Sequence, residues 1–307
     1  MKILIAGSSG FVGSALKETL RRGGHEVWAL VRSAPSAAGA LIQWDPAAGA
    51  VPALDGCGFD VVINLAGENI GSGRWTAKRR QRIRQSRVRG TQTLCAAFGR
   101  MSPPPDVLIN ASAVGIYGDC GERAVNEASA AGEGFLAVVG KEWEAAAFKA
   151  RDLGVRVAVL RFGMVLGAGG GALLRMLPAF RVGLGGRLGP GDQYVSWIEL
   201  SDAVAAIGHI MEDPQMHGPV NLVAPTPVTN AEFARCLGRA LGRPAVLPVP
   251  GWVLRLGLGA MAQDLLLAST RAVPERLLGA GFSFRHETVD SALRAVLGPT
   301  GAAAGLP

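Results

Sequence analysis

Short apolar runs alternate with longer segments of helical periodicity over the first half of the chain. Runs of this length that are apolar on both faces are typical of strands in a parallel sheet, because helices cover both sides of such a sheet. The intervening segments repeat apolar residues at three and four positions, as an amphipathic helix does. The predicted strands are residues 1–6, 26–31, 41–44, 60–67, 107–111 and 155–160, with helices that include 76–98 and 135–153.

This alternation predicts an α/β fold built on a doubly wound parallel sheet. After Arg161 the pattern changes to glycine-rich segments at 167–171 and 183–191, in which Leu and Arg are interleaved. Leu and Arg in place of Ser favour ordered loops over low-complexity linkers. A helix at 200–211 and a strand at 220–223 are expected to rejoin the main sheet, and Thr229 is expected to cap a helix that runs through Gly238.

These elements suggest two domains and a tail. We assign residues 1–165, with about 199–225, to the domain of the main sheet. Residues 166–198, with about 226–297, form a smaller mixed α/β domain on the substrate side, and we expect 298–307 to be a disordered tail.

The first strand leads directly into three glycines, Gly7, Gly10 and Gly13, which open a helix. Such a turn lets the backbone approach a pyrophosphate, whose negative charge is stabilised by the free N–H groups and dipole of the helix. The pattern therefore predicts a Rossmann dinucleotide site, and a tight strand-to-helix turn without a ligand is the alternative. The predicted contacts in this segment are Gly7, Ser9, Gly10, Phe11, Val12 and Gly13.

The end of the second predicted strand indicates which dinucleotide is bound. NAD sites place a carboxylate there for the ribose 2′-hydroxyl, whereas an arginine accommodates the extra phosphate of NADP. The strand ends in Val31, Arg32 and Ser33, with no carboxylate. Because Arg32 can meet a phosphate bidentately with Ser33 as a further donor, NADP (NADPH) is favoured over NAD. An ordinary solvated arginine is the alternative.

The net charge of +7 raises the question of a nucleic-acid partner. Residues 74–89 contain eight basic residues and no acidic one, so the remainder of the chain carries 7 − 8 = −1. Because one helix holds the whole excess, and no aromatic stacking platform accompanies it, we expect no nucleic-acid partner.

Other classes are disfavoured by similar arguments. No apolar run reaches the length of a membrane span, so we expect no membrane partner and a cytoplasmic protein. The four cysteines and four histidines are scattered without metal-ligand spacing, so we expect no metal.

Several longer motifs resemble the extended short-chain dehydrogenase/reductase superfamily, in particular its atypical "epimerase family protein" branch. That branch is NAD-dependent epimerase/dehydratase-like and carries a C-terminal domain of unknown function, and the likeness runs from residue 1 to about 297. It implies NADP contacts at Val31, Arg32, Leu65, Ala66, Arg82, Arg87 and Val165. We add Gly67 and Ser112, at the ends of the fourth and fifth strands, to the predicted cofactor contacts. The motifs are the glycine turn, Asn64-Leu65-Ala66-Gly67-Glu68-Asn69-Ile70, Ser112-Ala113-Val114-Gly115-Ile116-Tyr117-Gly118, Trp143-Glu144, Arg161-x-Gly163-x-Val165-Leu166-Gly167, Gly169-Gly170-Gly171-Ala172 and Gln193-x-x-Ser196-Trp197-Ile198.

The basic helix supports part of this assignment. Arg80, Arg84 and Arg87 share one helical face by their spacing. Arginines there can pair with a phosphate or form a solvated face, and we expect Arg82 and Arg87 to reach the cofactor.

The expected catalytic pattern is incomplete. The superfamily uses a Ser or Thr on the fifth strand end and a Tyr-x-x-x-Lys pair, in which the lysine lowers the tyrosine pKa. If Lys141 is the lysine, Ala137 occupies the tyrosine position. Ser112, Tyr117 and Lys141 remain the catalytic candidates, with strand capping or packing as alternative roles for the first two. Further polar possibilities are Glu68, Asp119, Gln193 and Glu199, which stands where the branch commonly has His.

The predicted NADP site and the incomplete catalytic pattern are compatible with two functions. The first is an NADP(H)-dependent oxidoreductase or epimerase/dehydratase that acts on a small-molecule hydroxyl or carbonyl substrate, such as a nucleotide sugar. The second is a non-catalytic NADP(H)-binding redox sensor or scaffold, because a fold does not guarantee its usual chemistry.

Overall fold

A computed structural model describes residues 1–32, 40–49, 51 and 54–298. Its centre is a seven-stranded parallel sheet, whose strands are β1 (Lys2–Ala6), β2 (Glu26–Val31), β3 (Leu41–Gln43), β4 (Val61–Asn64), β5 (Val107–Ala113), β7 (Arg156–Phe162) and β11 (Gly218–Leu222). They lie in the order β11-β7-β5-β4-β1-β2-β3. The predicted α/β fold is confirmed, including the strand near 220 that rejoins the sheet. Ser33 and residues 299–307 of the predicted tail lie outside the described residues.

Helices cover both faces of the sheet. Leu16 and Leu20 of the first helix pack with Ile207 and Ile210 of the fifth against one face, and Leu94 of the second helix packs on the other. Strand residues alternate between these two layers, as the period of a strand requires. The helices are α1 (Phe11–Arg22), α2 (Ala77–Phe98), α3 (Phe135–Phe148), α4 (Gly171–Arg181), α5 (Leu200–Glu212), α6 (Asn230–Leu241), α7 (Gly251–Leu258), α8 (Glu275–Gly279) and α9 (Val289–Leu297).

Several predicted boundaries shift by a few residues. The α3 helix ends at Phe148, and residues Lys149–Leu153 form a tighter 3-10 helix before Gly154, whose φ of 79° ends the segment. The β5 and β7 strands both run two residues further than predicted, because Ser112 and Ala113 still pair with Arg161 and Phe162. This extra length carries Ser112 and Arg161 to the carboxyl edge of the sheet.

A third apolar cluster lies outside the main sheet. It includes Leu173 of α4, Trp197, Phe233 of α6 and Leu293 of α9. Trp197 lies on a short strand that pairs with the segment after β7, which ties this cluster to the sheet. The short strands are β6 (Ala124–Val125), β8 (Met164–Leu166), β9 (Tyr194–Val195), β10 (Trp197–Glu199), β12 (Val228–Thr229) and β13 (Arg271–Ala272).

Two single features complete the fold. Thr229 caps α6, as predicted, and its side chain accepts a hydrogen bond from the Glu232 amide. Among the described residues, no helix is both long and apolar enough to cross a membrane.

The turn between β1 and α1 is closely packed around its glycines. Gly7 has a φ of +82°, and a side chain there would place its Cβ 2.7 Å from the backbone carbon of Leu65. A Cβ at Gly13 would overlap the carbonyl oxygen of Gly7. The three-residue spacing therefore lets α1 begin directly against β1 and lets this turn contact the one after β4.

We expect Gly13→Ala to lower the free energy of unfolding by about 1–3 kcal/mol, because the added methyl group must displace the backbone of the turn. The matched control is Gly208→Ala in α5, where an added Cβ has no neighbour within 4 Å. Alanine there should stabilise the protein by about 0.5–1 kcal/mol. Urea unfolding measures both effects, and equal stability of the two variants would contradict the packing described here.

Candidate functional site

The start of α1 is open to an anion. Gly10 caps the helix without a side-chain hydrogen bond, and its first turn contains no acidic residue. Helix N–H groups in this position carry partial positive charge and lack partners within the helix. Ser9 and Gly10 are exposed, whereas Phe11 and Val12 are half-buried.

A glycine-rich loop lies over Phe11. A Cβ at Gly167 or Gly170 would come 2.6 or 2.7 Å from the Phe11 ring. A Cβ at Gly171 would come 3.2 Å from the ring and 3.0 Å from the Val165 carbonyl oxygen. The glycines of this segment therefore allow the backbone to approach an aromatic ring at the start of α1.

The remaining predicted contacts lie along the carboxyl edge of the sheet. Val31 ends β2, and the exposed Arg32 after it has no hydrogen-bond or ion-pair partner among the residues that the structure describes. Leu65 and Ala66 follow β4, against the Gly7 turn. Val165 lies in β8, beside Ile198 of β10.

Arg87 lies directly beside Gly67. It donates a hydrogen bond of 3.0 Å to the Glu68 carbonyl oxygen, and its guanidinium lies 5.1 Å from the Trp143 ring centroid. Burial lowers the pKa of Arg87 to about 10, against the opposing effect of the Glu68 charge. Arg82 is half-exposed and forms an ion pair of 3.4 Å with Glu68. Glu68 therefore links the two predicted arginines, with Arg87 on the inner side.

A buried amide network fixes the ends of β4 and β5. The Asn64 side chain donates to Asn110 at 2.7 Å and to the Thr91 hydroxyl at 2.9 Å, and the Trp143 indole N–H also donates to Thr91, at 3.0 Å. The Asn64 oxygen accepts from the Ala66 amide. Buried polar groups with satisfied partners specify one geometry, so this network holds the Leu65–Ala66 turn in place.

Ser112 is held by a buried ion pair. Arg161 donates two hydrogen bonds to the carboxylate of Glu144, of 2.8 and 2.9 Å, and both side chains are less than a tenth exposed. The Ser112 hydroxyl donates to the same carboxylate at 2.7 Å. Burial disfavours the charge on Arg161, but the hydrogen bonds and charge of Glu144 outweigh it and raise the pKa of Arg161.

Tyr117 is joined to the same pair. Its hydroxyl accepts from Arg161 at 2.9 Å and donates to the Asn221 side-chain oxygen at 2.6 Å. Burial raises the pKa of Tyr117, although Arg161 acts in the opposite direction. The Asn221 backbone amide in turn donates to Glu127, whose pKa is also raised by burial. The tyrosine hydroxyl is therefore neutral near pH 7, and its only proton is donated to Asn221.

Lys141 does not join this cluster. Its side chain is exposed and its Nζ donates to the Gly132 carbonyl oxygen at 3.4 Å. Over the described ranges, no hydrogen bond connects it to Ser112 or Tyr117. Ala137 is fully buried. The structure thus brings two of the three catalytic candidates together and leaves the third apart.

Two other predicted polar residues have structural roles. Glu199 caps α5, where its carboxylate accepts from Ser201 and Asp202. Gln193 joins the Gly191 amide to the carbonyl oxygens of Leu188 and Leu266. Glu144 and Arg161 belong to two of the motifs but are not among the predicted site residues. The signal that could have identified them is an arginine at the end of an apolar strand, which requires a buried anionic partner.

A solvent-open cleft with a cavity volume of about 100 Å³ lies after β5. Three of its lining residues are acidic and none is basic. In the part of the chain that the structure describes, no group of His, Cys, Asp or Glu side chains is arranged to hold a metal ion. The lining residues are Gly115, Gly118, Asp119, Glu133, Leu136, Gln263, Asp264, Ala268 and Thr270.

Comparison with known proteins identifies the family. Residues 3–222 match the model of the NAD dependent epimerase/dehydratase family. The chain belongs to this family. Residues 249–296 of this epimerase/dehydratase family member match a domain of unknown function, DUF1731. The resemblance inferred from the sequence motifs is confirmed.

The similarity to individual family members extends over nearly the whole chain. The epimerase family protein Mb2239 of Mycobacterium bovis is 45% identical over 95% of this chain and 96% of its own. A crystal structure of human epimerase family protein SDR39U1 with NADPH has a TM-score of 0.87 and 34% identity, and covers 97% of this chain and 100% of that one. A Corynebacterium glutamicum structure described as a nucleoside-diphosphate sugar epimerase has a TM-score of 0.78 and 34% identity, over 99% of this chain and 62% of that one.

We expect Glu144→Gln to lower the free energy of unfolding by about 3–5 kcal/mol, because it leaves the buried Arg161 charge without its counterion. The matched control is Glu142→Gln on the same helix, which breaks a solvent-exposed pair with Arg84. Exposed pairs contribute little to stability, so the control should leave the urea midpoint unchanged. If Glu144→Gln and the control have the same free energy of unfolding, the buried pair does not stabilise the fold.

Proposed function

We propose that this chain binds NADP(H) and exchanges a hydride with a hydroxyl or carbonyl substrate. The observation that carries the proposal is the contact between the Gly7 turn and the Leu65–Ala66 turn, beside the open start of α1. Such a junction at the carboxyl edge of a parallel sheet is the place where dinucleotides bind. The NADPH in the human SDR39U1 structure supports the same choice.

The residues of this chain fit the dinucleotide. The glycine turn leaves no side chain between the helix N–H groups and a pyrophosphate, and Leu65, Ala66 and Gly67 give a small apolar ledge for a ribose. Arg32 is the group proposed to meet the 2′-phosphate. Arg87 supplies positive charge beside the ledge, whereas Arg82 is proposed as a contact on the solvent side.

Ser112 is the proposed orienting group. When bound, the nicotinamide ring supplies the hydride donor or acceptor. Because the only hydroxyl proton of Ser112 goes to Glu144, its remaining capacity is to accept a hydrogen bond. Ser112 is therefore suited to accept a hydrogen bond from a substrate hydroxyl and so to orient it. Tyr117 retains its own proton and keeps Arg161 in place, so water in the cleft is the proposed proton carrier.

The cleft limits the substrate further. Asp119, Glu133 and Asp264 give it negative charge, without a basic residue in the lining. A diphosphate there would meet repulsion from like charges. We therefore favour a substrate whose portion in this cleft is neutral or cationic, and a nucleotide sugar would keep its diphosphate elsewhere.

A non-catalytic NADP(H) sensor or scaffold is the second candidate. Its supporting observation is that Tyr117 has both hydroxyl partners satisfied, while Lys141 points to another contact. Pull-downs with and without NADPH test this role, because a sensor must bind different partners in the two conditions.

We expect Arg32→Ala to weaken NADPH binding by about tenfold or more while affinity for NADH stays nearly constant, because only NADPH carries the 2′-phosphate. Arg21→Ala is the control, since Arg21 is an exposed arginine in the last turn of α1. Isothermal titration calorimetry measures the affinities. Equal losses for both cofactors would rule out Arg32 as the phosphate contact.

We expect purified protein to reduce NADP⁺ in the presence of one or more members of an alcohol panel that contains neutral, cationic and phosphorylated compounds. Ser112→Ala should lower the turnover by about a hundredfold with NADP⁺ affinity nearly constant, because the substrate hydroxyl loses the acceptor that orients it. Hydride transfer is followed by deuterium from alcohols labelled at the carbinol carbon. If no deuterium reaches the cofactor with any compound, the enzymatic proposal fails and the sensor role is favoured.

A further inference from the structure

The C-terminal part of the molecule exposes an unusual number of large apolar side chains. Trp252, Leu256 and Val246 have two thirds or more of their surface in solvent, at 66%, 73% and 72%. Trp252 and Leu256 lie on α7, and Val246 lies on the segment that precedes it. Two further exposed apolar residues, Val182 and Leu184, follow α4. We define the apolar face by Val182, Leu184, Val246, Leu247, Trp252, Val253 and Leu256.

Backbone hydrogen bonds join these segments into one face. The Leu247 amide donates to the Gly185 carbonyl oxygen at 3.2 Å, and the Val249 amide donates to that of Arg187 at 2.9 Å. The Gly189 amide returns a bond of 2.8 Å to Val249. The two loops therefore run side by side, and α7 starts two residues after the last of these contacts.

The α7 helix is amphipathic in the manner of an interfacial helix. Trp252 and Leu256 are four residues apart and so lie on one face, with Val253 beside them, whereas Leu254 is buried. Exposed tryptophan and leucine next to arginine are typical of helices that lie in the headgroup region of a bilayer.

The segments that form the apolar face carry only positive charge, and the first acidic residues beyond them are Asp192, Glu232 and Asp264. Residues 171–191 and 233–263 together contain seven arginines and no aspartate or glutamate. All seven arginines are exposed, and among the described residues only Arg239 of the seven forms an ion pair, with Asp290. The four that lie within or directly beside the segments of the apolar face are Arg181, Arg187, Arg243 and Arg255.

The positive charge distinguishes between two possible partners of the apolar face, a second copy of this chain and a lipid surface. A two-fold contact with a second copy would place arginines opposite arginines, with no acidic residue from these segments to offset them. An anionic lipid surface offers phosphates to the arginines and an apolar interior to Trp252 and Leu256, so it satisfies both features at once.

We propose that the apolar face docks this protein on the surface of anionic lipid bilayers. Trp252 and Leu256 enter the headgroup boundary, and the four arginines contact lipid phosphates. The lack of an apolar run long enough to span a bilayer argues only against a transmembrane segment, and a surface contact needs no such run. The docking is independent of the proposed hydride transfer.

The face also borders the candidate substrate cleft. Arg255 on α7 donates a hydrogen bond of 3.2 Å to Gln263, which lines that cleft.

Vesicle sedimentation tests the proposal. We expect the full chain to sediment with vesicles of equimolar phosphatidylcholine and phosphatidylglycerol, and to remain in solution with phosphatidylcholine alone. The double variant Trp252→Ser/Leu256→Ser and the variant Arg181→Glu/Arg255→Glu should each partition at least about tenfold more weakly. The matched control is Leu153→Ser, which removes a leucine of 44% exposure that follows α3.

Tryptophan fluorescence supplies a second readout. A blue shift on adding anionic vesicles should be lost in Trp252→Phe, which keeps an aromatic anchor and should still sediment. Circular dichroism checks that each variant folds. Failure of the folded wild type to bind anionic vesicles overturns the proposal, as does equal binding by the Trp252→Ser/Leu256→Ser variant. If the wild type instead self-associates without binding vesicles, and this variant does not self-associate, the face is a contact with a second copy of the chain.

Discussion

The candidate site depends on the buried ion pair between Glu144 and Arg161. An unpaired charge in this position would be costly, so each residue fixes the other and joins α3 to β7. The pair also determines the direction of the hydrogen bonds around it. A carboxylate can only accept and a guanidinium can only donate, which commits the Ser112 proton to Glu144 and a Tyr117 lone pair to Arg161.

This arrangement explains why the missing tyrosine-lysine pair does not leave an empty site. In the usual pattern a lysine lowers the tyrosine pKa. Here the tyrosine is on another segment, burial raises its pKa, and its hydroxyl serves the ion pair. The polar groups at the end of β5 are thus organised around a fixed charge pair. Any proton that moves in this site must use a different carrier.

Much of the fold could be predicted from the sequence, because buried parallel strands are apolar on both faces and their runs are easily recognised. Thr229 caps the helix that its position predicts. The pairing partners of the charged side chains are harder to predict from the sequence. Arg84 and Arg87 share a helical face, yet Arg84 pairs with Glu142 on α3 and Arg87 is buried beside Gly67. Spacing along one helix cannot specify which residues another helix presents to it. Glu144 and Arg161 are 17 residues apart and meet only when the sheet forms.

The contact between Phe11 and the Gly167–Gly171 loop bears on how freely the parts of this molecule could be exchanged during evolution. Phe11 is the first residue of the helix that faces the proposed cofactor, and the loop that covers it leads directly into α4. A substituted loop with larger residues would collide with the ring, and a smaller residue at position 11 would leave a void under the glycines. The loop and the first helix must therefore change together. A recombinant of two relatives is expected to fold well only if both segments come from the same parent.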